Sequence, residues 1–392
     1  MGIIKSWLKF AAFSLTFSVP AVLAQPLIPA APELAATAWL LMDSKTGRVL
    51  VEHNADEVLP PASLTKMMTS YIVSEEIEAG RLKESDMVRV SVNAWEKGGA
   101  KSGGSTMFLP PNEDASVIDL LRGVIIQSGN DAAIALAEHV AGDEQAFADI
   151  MNQQATILGM TNTHFVNSTG WPDEAHVTTA RDMAKLATAV IEDHPEHYAI
   201  YSEKEFEYNG ITQPNRNQLL WRDSSIDGLK TGHTEAAGYC LVASGERNGM
   251  RLVSVVMGAR SEQSRATESQ KLLSWGFRYY MTHRLYSADD VLSTERVWKG
   301  KSDSVELGVE DEVYLTIPRG AEDLLEATIS VESTLQAPLN LGDQVGTLSI
   351  SYEGEEILTK PLVAKTQVEQ AGFFARVWDS LKLFLMKIFG RV

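Results

Sequence analysis

The chain of 392 residues carries 34 Lys and Arg against 52 Asp and Glu, a formal charge of −18, with 44% hydrophobic and 22% charged residues. Its length points to two domains, and its apolar content can fill a sizeable core. The acidic balance, with no Lys/Arg cluster on a folded segment, excludes general nucleic-acid binding; a single cysteine, Cys240, excludes internal disulfides and cysteine-based metal sites.

At the start, Lys5 and Lys9 flank the beginning of an apolar stretch over 11–23 that closes on Val22-Leu23-Ala24. This is the layout of a secretory signal peptide, residues 1–24, cleaved before Gln25. The stretch falls short of the ~20 residues of a spanning helix, which argues against a retained anchor. Its loss removes two lysines and no acid, taking the charge from −18 to −20.

Residues 39–43 and 48–51 predict two strands around a turn at 44–47. A helix starts near Ser63, after Pro60-Pro61, with Leu64, Met67, Met68, Tyr71 and Ile72 at helical spacing. Further helices fit 117–126, 132–140, 144–158 and 179–191. Strands return at 239–244 and 252–257, and a helix over 263–281 closes the unit. Strands at both ends with helices between them predict one α/β (α+β) domain over 25–284, its central antiparallel sheet flanked by helices. Cys240 lies in the apolar run 239–242 and reads as a small buried hydrophobe. His194 and His197 are separated by Pro195 and complete no ligand pattern, so they read as solvated loop histidines. No metal or cofactor is signalled.

From 285 to 368 the texture becomes period-2, clearest at 313–317 and 347–352, with a hairpin turn at Glu353-Gly354. This is a small all-β domain with a support or docking role. Over 369–392 the pattern turns helical. Phe373, Phe374, Val377, Trp378, Leu381, Phe384, Leu385, Ile388 and Phe389 share one broad face, and Arg376, Asp379, Lys382 and Lys387 the other. Arg391 falls on the apolar side at the end. A basic amphipathic helix of this kind lies in a membrane interface; the alternative is packing on the protein itself. Lys382 and Lys387 interrupt the run needed for a spanning helix.

Acyl transfer by a serine needs an activated hydroxyl, a base within reach and donors aimed at the developing oxyanion. One solution combines Ser-x-x-Lys at a helix start, Ser-x-Asn, and Lys-Thr-Gly on a strand. Single matches are weak. Ser6–Lys9, Ser91-Val92-Asn93, Lys45-Thr46-Gly47 and Lys101-Ser102-Gly103 match or nearly match, each in the wrong context. One set meets every demand. Ser63-Leu64-Thr65-Lys66 opens a helix and puts Ser63 and Lys66 a turn apart on one face. Ser128-Gly129-Asn130 lies between two helical segments. Lys230-Thr231-Gly232 precedes the strand at Tyr239, and its glycine lets a substrate backbone come close.

With these motifs the chain resembles the low-molecular-mass penicillin-binding proteins that are serine-type D-alanyl-D-alanine carboxypeptidases. It shares Gln127-Ser128-Gly129-Asn130-Asp131-Ala132, Phe165-Val166-Asn167-Ser168-Thr169-Gly170, Thr179-Ala180-Arg181-Asp182-Met183 and Asp227-Gly228-Leu229-Lys230-Thr231-Gly232-His233-Thr234. The resemblance implies a penicilloyl-serine-transferase domain, a β-rich stalk and a terminal helix on the periplasmic face of the inner membrane. It implies peptidoglycan pentapeptide as substrate and β-lactams as covalent inhibitors. Ser63 would attack the carbonyl between two D-alanines, and Lys66 would take its proton, kept neutral by desolvation and by the charge of Lys230. Ser128 and Asn130 would relay a proton to the leaving D-alanine. The backbone N–H groups of Ser63 and His233 would form the oxyanion hole. Thr231 and Arg216 would hold the terminal carboxylate. His233 and the loop carrying Ser105 and Thr106 would serve deacylation. Arg216 comes from an Asn-Arg-Asn match about one residue nearer Lys230 than the family's spacing, with a surface salt bridge as its alternative.

Three competing readings remain. A class A β-lactamase shares the three elements, but usually has Asp at the position of Gly129 and a Glu-containing loop that 165–174 does not supply. A non-catalytic wall-binding protein would not be expected to keep Ser63, Lys66, Asn130 and Lys230 intact. Transpeptidase or endopeptidase action uses the same residue types and is separated only by the family resemblance.

Overall fold

The computed structural model describes residues 27–331 and 334–388; the signal-peptide segment 1–24, Phe389 and Arg391 lie outside them. The strands Ala38–Asp43 and Val49–His53 form a hairpin that pairs with the last strands of the first unit, Met250–Ala259, Gly238–Arg247 and Ile226–Thr234. The result is a five-stranded antiparallel sheet in which the chain's first hairpin lies beside Met250–Ala259 and Ile226–Thr234 forms the opposite edge. Period-2 alternation divides its side chains between two cores. Leu40, Met42, Val242, Val253 and Val255 face a large cluster built with the intervening helices. Trp39, Leu41, Leu241, Leu252 and Val256 face a smaller one with Leu272, Leu273 and Phe277 of the closing helix, Glu262–Tyr279.

The helices Asn130–Ala141, Glu144–Ile157 and Ala180–Asp193 match the expected segments to within two residues. Asp143 and Thr179 cap the last two, accepting from Ala146 N–H and Asp182 N–H. Four expectations change. The helix over 117–126 becomes an α-helical Val117–Arg122 followed by a π turn, Gly123–Gln127, that throws Ser128 into left-handed backbone (φ 60°). Lys-Thr-Gly lies inside a strand rather than ahead of one; Gly228, Gly232 and the charged Asp227 and Lys230 hide its periodicity in the sequence. The closing helix stops at Tyr279, because Tyr280–Tyr286 is a strand pairing with Val313–Pro318; this strand runs through position 284/285. His194 is buried, its ring between Glu75 and Glu78 with both nitrogens 2.9 Å from a carboxylate oxygen, and it meets Tyr71 edge-on. Cys240 is fully buried, and burial pushes its thiol up to about 11.

Beyond Tyr280 the chain is β-rich, centred on a six-stranded sheet. Glu353 and Gly354, both at positive φ (55° and 82°), turn Gln344–Tyr352 into Glu355–Ala364. The two units are pinned by polar contacts: buried Asp43 accepts from Thr282 Oγ1 (2.5 Å) and Thr316 Oγ1 (2.7 Å), and Arg319 Nε donates to Phe277 O (3.1 Å). The terminal helix, Phe373–Ile388, sits on the β unit through its polar side, where Asp379 accepts from Lys299 N–H (2.8 Å). Its apolar side is uncovered, with Phe374 86% and Phe384 60% exposed. No helix of the described residues is long and apolar enough to cross a membrane.

Candidate active site

Pro61 leads into a 3-10 turn, Ala62–Thr65, and the α-helix proper starts only at Lys66. Ser63 therefore stands in the tight turn ahead of the helix, half-buried at the wall of a cleft. The preceding Ala62 is held at φ 49°, a backbone that alanine avoids. What holds it is visible. Thr65 Oγ1 donates to Ala62 O (2.8 Å), and His176 Nε2 lies 2.8 Å from Thr65 Oγ1. Burial pushes the His176 imidazole down to about 4, and its Nδ1 accepts from Val166 N–H (3.1 Å). The proton therefore sits on Nε2 and is donated to Thr65. On the other side Gly170, at φ 82°, touches the same carbonyl; a Cβ there would lie 1.8 Å from Ala62 O.

Lys66, three residues on, is fully buried. Its Nζ lies 3.2 Å from Ser63 Oγ, 2.7 Å from Asn130 Oδ1 and 2.6 Å from Thr169 O. None of these partners is a carboxylate. Burial first, and the Arg216 guanidinium second, bring its pKa down to about 7, against the pull of Asp131 and Glu144. Arg216 is the cation that adds to burial at Lys66, and the repulsion between Lys66 and Lys230 that the sequence implied is felt at Lys230. Near neutral pH a substantial fraction of Lys66 is an amine that can accept the hydroxyl proton of Ser63.

The second motif is delivered by the π turn. Ser128 Oγ accepts from Lys230 Nζ (2.9 Å), and Asn130 begins the helix Asn130–Ala141 with its N–H donated to Ser105 O (2.8 Å). The next residue, Asp131, is buried and accepts from Thr106 Oγ1 (2.6 Å), Met107 N–H (2.8 Å) and Leu109 N–H (3.0 Å). Thr106 is thereby turned into the protein and does not line the cleft; its neighbour Ser105 does. The expectation that both face substrate is corrected accordingly.

Lys230 is buried on the edge strand and also donates to Thr231 O (3.1 Å). Burial, followed by the cations Lys66, Arg216 and Arg265, pulls its pKa well below the usual lysine range. A Cβ at Gly232 would lie 3.0 Å from Pro61 O and 3.2 Å from Ser63 N, so this glycine lets the strand close on the nucleophile turn itself. Arg265 Nη1, from the closing helix, donates to Gly232 O (3.1 Å). His233 is exposed and stacks on Tyr239 at 3.9 Å. In Asn-Arg-Asn the two flanking asparagines are buried: Asn215 donates to Tyr201 O and Glu203 O, and Asn217 to Gly228 O. Arg216 is left facing the cleft, its Nε 3.3 Å from Gln127 O, in no ion pair among the described residues.

Ser63, Ser128, Asn130, Arg216, Thr231, Gly232, His233 and Ser105 thus line one cleft of about 480 Å³. Lys66 and Lys230 sit beneath it, bonded to the hydroxyls of Ser63 and Ser128 respectively. Sequence reasoning missed Gly104, Trp171, Pro172, Glu262 and Arg265 in the wall, and Thr169, which acts on Lys66 through a backbone carbonyl. Among the described residues no group of His, Cys, Asp or Glu is arranged to hold a metal.

The match to the family model described as D-alanyl-D-alanine carboxypeptidase covers residues 25–261, more than half the chain. The chain belongs to the D-alanyl-D-alanine carboxypeptidase family. It is an enzyme of the serine type, and a second model, the C-terminal domain of penicillin-binding protein 5, matches residues 280–370. The D-alanyl-D-alanine carboxypeptidase DacC of Escherichia coli (strain K12) is 48% identical, covering 97% of this chain and 95% of its own length. DacA of the same organism is 44% identical over 93% and 91%. The crystal structure of penicillin-binding protein 5 from Haemophilus influenzae superposes with a TM-score of 0.83 at 42% identity, covering 87% of this chain and all of that one. The two family models fall on the two units seen in the fold, divided near Tyr280.

Proposed function

We propose that this member of the family hydrolyses the terminal D-Ala-D-Ala bond of peptidoglycan stem pentapeptides through an acyl-enzyme on Ser63, releasing D-alanine. The observation that carries the reading is Lys66 Nζ, 3.2 Å from Ser63 Oγ, buried without a carboxylate partner and titrating at about 7. Neutral Lys66 takes the proton of Ser63 as Oγ attacks the scissile carbonyl. The oxyanion is met by the backbone N–H groups of Ser63 and His233, on segments that Gly232 brings together. Lys230, Ser128 and Asn130 pass a proton to the leaving amine, a route supported by the Lys230–Ser128 and Lys66–Asn130 hydrogen bonds. Thr231 and Arg216 hold the terminal carboxylate. Water then hydrolyses the ester from the side of Ser105 and His233, with Thr106 holding that loop against Asp131. β-Lactams acylate the same serine.

The reading extends to the whole chain. Residues 1–24 are a leader removed on export, 25–279 the catalytic domain, 280–368 a stalk, and 369–392 an anchor. The anchor attaches the enzyme peripherally to the periplasmic face of the inner membrane, where it serves cell-wall maturation and cell shape. The uncovered Phe, Trp and Leu face of Phe373–Ile388 supports this attachment.

Incubation with a peptide ending in D-Ala-D-Ala, with free D-alanine as the readout, tests the activity. Release by the parent and none by Ser63→Ala is expected. Transfer of the peptide to an added amine without net hydrolysis would instead support a transpeptidase.

A further inference from the structure

A cluster of polar side chains outside the cleft grips the start of the edge strand Ile226–Thr234. Tyr198, buried at the end of the short helix Pro195–Tyr198, donates its hydroxyl to Asp227 Oδ1 at 2.5 Å. Burial first, and the Asp227 charge second, raise its pKa well above the usual tyrosine range, so it stays a donor. Arg251 Nη1 donates to the same Oδ1 (2.9 Å) and to Ser244 Oγ (2.9 Å), and its Nη2 lies 2.8 Å from Asp227 Oδ2. Asp227 stands three residues before Lys230. At Gly228, the next residue, a Cβ would lie 2.8 Å from Tyr198 Oη, so glycine is what lets the phenol come this close. Gly228 O also accepts from Asn217 Nδ2 (2.9 Å), beside Arg216. The turn that follows Tyr198 reaches further. Tyr201 O accepts from Asn215 Nδ2 (3.2 Å), on the other flank of Arg216. Tyr201 Oη lies 2.6 Å from Ser70 Oγ, on the helix Lys66–Glu78. Ser70 gives its own proton to Met67 O (2.9 Å), so Tyr201 is the donor of that pair. Residues 198–201 are thus hydrogen-bonded to the three segments that carry Lys66, Arg216 and Lys230.

We propose that Tyr198 and Tyr201 are positioning residues for the reaction: their hydroxyls fix the distance of Lys230 and Arg216 from Lys66. The inference rests on the carboxypeptidase reading and adds two residues to it. Ile226–Thr234 has a strand partner on one side only, Gly238–Arg247, so side chains must hold its other side. They hold it against a force. Arg216 repels Lys66, and Lys66, Arg216 and Arg265 repel Lys230, so the crowded cations favour an outward shift of the strand. A hydroxyl bonded to the Asp227 carboxylate is a charge-assisted contact, of the strong class, and it opposes that shift three residues from Lys230. The Tyr201–Ser70 bond fixes the same turn to the helix of Lys66, so the opposing pull is taken up by the segment that carries the base.

The test uses Tyr198→Phe, which keeps the ring and the Arg251–Asp227 ion pair, and Tyr201→Phe, which cuts the turn from the Lys66 helix. Either change lets the cations relax away from Lys66 and admits water, and both effects raise the pKa of Lys66. The midpoint of the pH profile for covalent attachment of a fluorescent penicillin should therefore rise by about half a pH unit. For a peptide ending in D-Ala-D-Ala, kcat/KM of D-alanine release at pH 7 should fall about tenfold, with KM raised, because Arg216 no longer stands where the carboxylate arrives. Asp43→Ala, which loosens the contact between the two units, is the control for lost stability and should keep the parent's midpoint. A midpoint unmoved or lowered in both tyrosine variants, or raised equally in Asp43→Ala, overturns the positioning role. Failure of the parent to release D-alanine would instead sink the carboxypeptidase reading, and the penicillin midpoint would still decide on the two tyrosines.

Discussion

If Lys66 is the base that activates Ser63, the acylation rate must follow its deprotonation. The direction follows from burial: desolvation disfavours the ammonium, so the pKa falls from 10.5 to about 7 and the amine form appears as pH rises through that value. At pH 7 about half of the molecules then carry a neutral Lys66, against roughly one in three thousand for an unshifted lysine. At pH 5 the neutral fraction drops to about one per cent, so acylation should slow about fifty-fold between pH 7 and pH 5. The assay is the second-order rate of covalent attachment of a fluorescent penicillin between pH 5 and 9, which is independent of the deacylation step. A limb of tenfold per pH unit below 7, flattening above it, is expected. A flat profile over the whole range, or a limb whose midpoint lies above 9, would refute the assignment of Lys66 as base. Lys66→Arg, which keeps the hydrogen-bonding charge but cannot lose its proton in this range, should acylate at least about a hundredfold more slowly.

Gly170→Ala forces a Cβ to 1.8 Å from Ala62 O at φ 82°; a loss of about 2–4 kcal/mol in thermal or urea unfolding is expected, together with slower penicillin attachment. His176→Phe removes the donor to Thr65 Oγ1, and should slow acylation about tenfold while costing about 1–3 kcal/mol of stability; full acylation would show that the nucleophile turn holds itself. Asp43→Ala removes the acceptor that Thr282 and Thr316 share between the units, leaving Thr316 only its bond with Thr46 Oγ1, so unfolding should come about 1–3 kcal/mol earlier, with D-alanine release from a free peptide little changed. Ending the chain at residue 370 should abolish co-sedimentation with anionic lipid vesicles while leaving peptide hydrolysis intact; vesicle binding retained by the shortened chain would remove the anchoring role from Phe373–Ile388.

Much of this molecule was legible because its signals are local. Helices capped by Asp143 and Thr179, and the turn at Glu353-Gly354, announce themselves within a few residues. The three motifs were legible through their residue types and order. What was hidden depends on distant segments. The edge strand Ile226–Thr234 is short of apolar residues because it is built to present Lys230 and to let Gly232 approach Ser63, so function overrides strand periodicity. The strained Ala62 is intelligible only once Thr65, His176 and Gly170 are seen around its carbonyl. Thr106 looked like a cleft residue by position, but the buried carboxylate of Asp131 claims its hydroxyl. His194 looked like a loop histidine because nothing nearby in sequence shows that Glu75 and Glu78 enclose it. Thr169 contributes a backbone carbonyl, for which no residue type is a signal.

The central claim is that a single hydroxyl, Ser63 Oγ, carries the acyl group. Peptide mapping by mass spectrometry after a brief incubation with benzylpenicillin and acid quench tests it most directly. The account predicts one penicilloyl group per chain, on the peptide containing Ser63, and no adduct on Ser63→Ala. An adduct on Ser128 or elsewhere, or an undiminished adduct on Ser63→Ala, would contradict it.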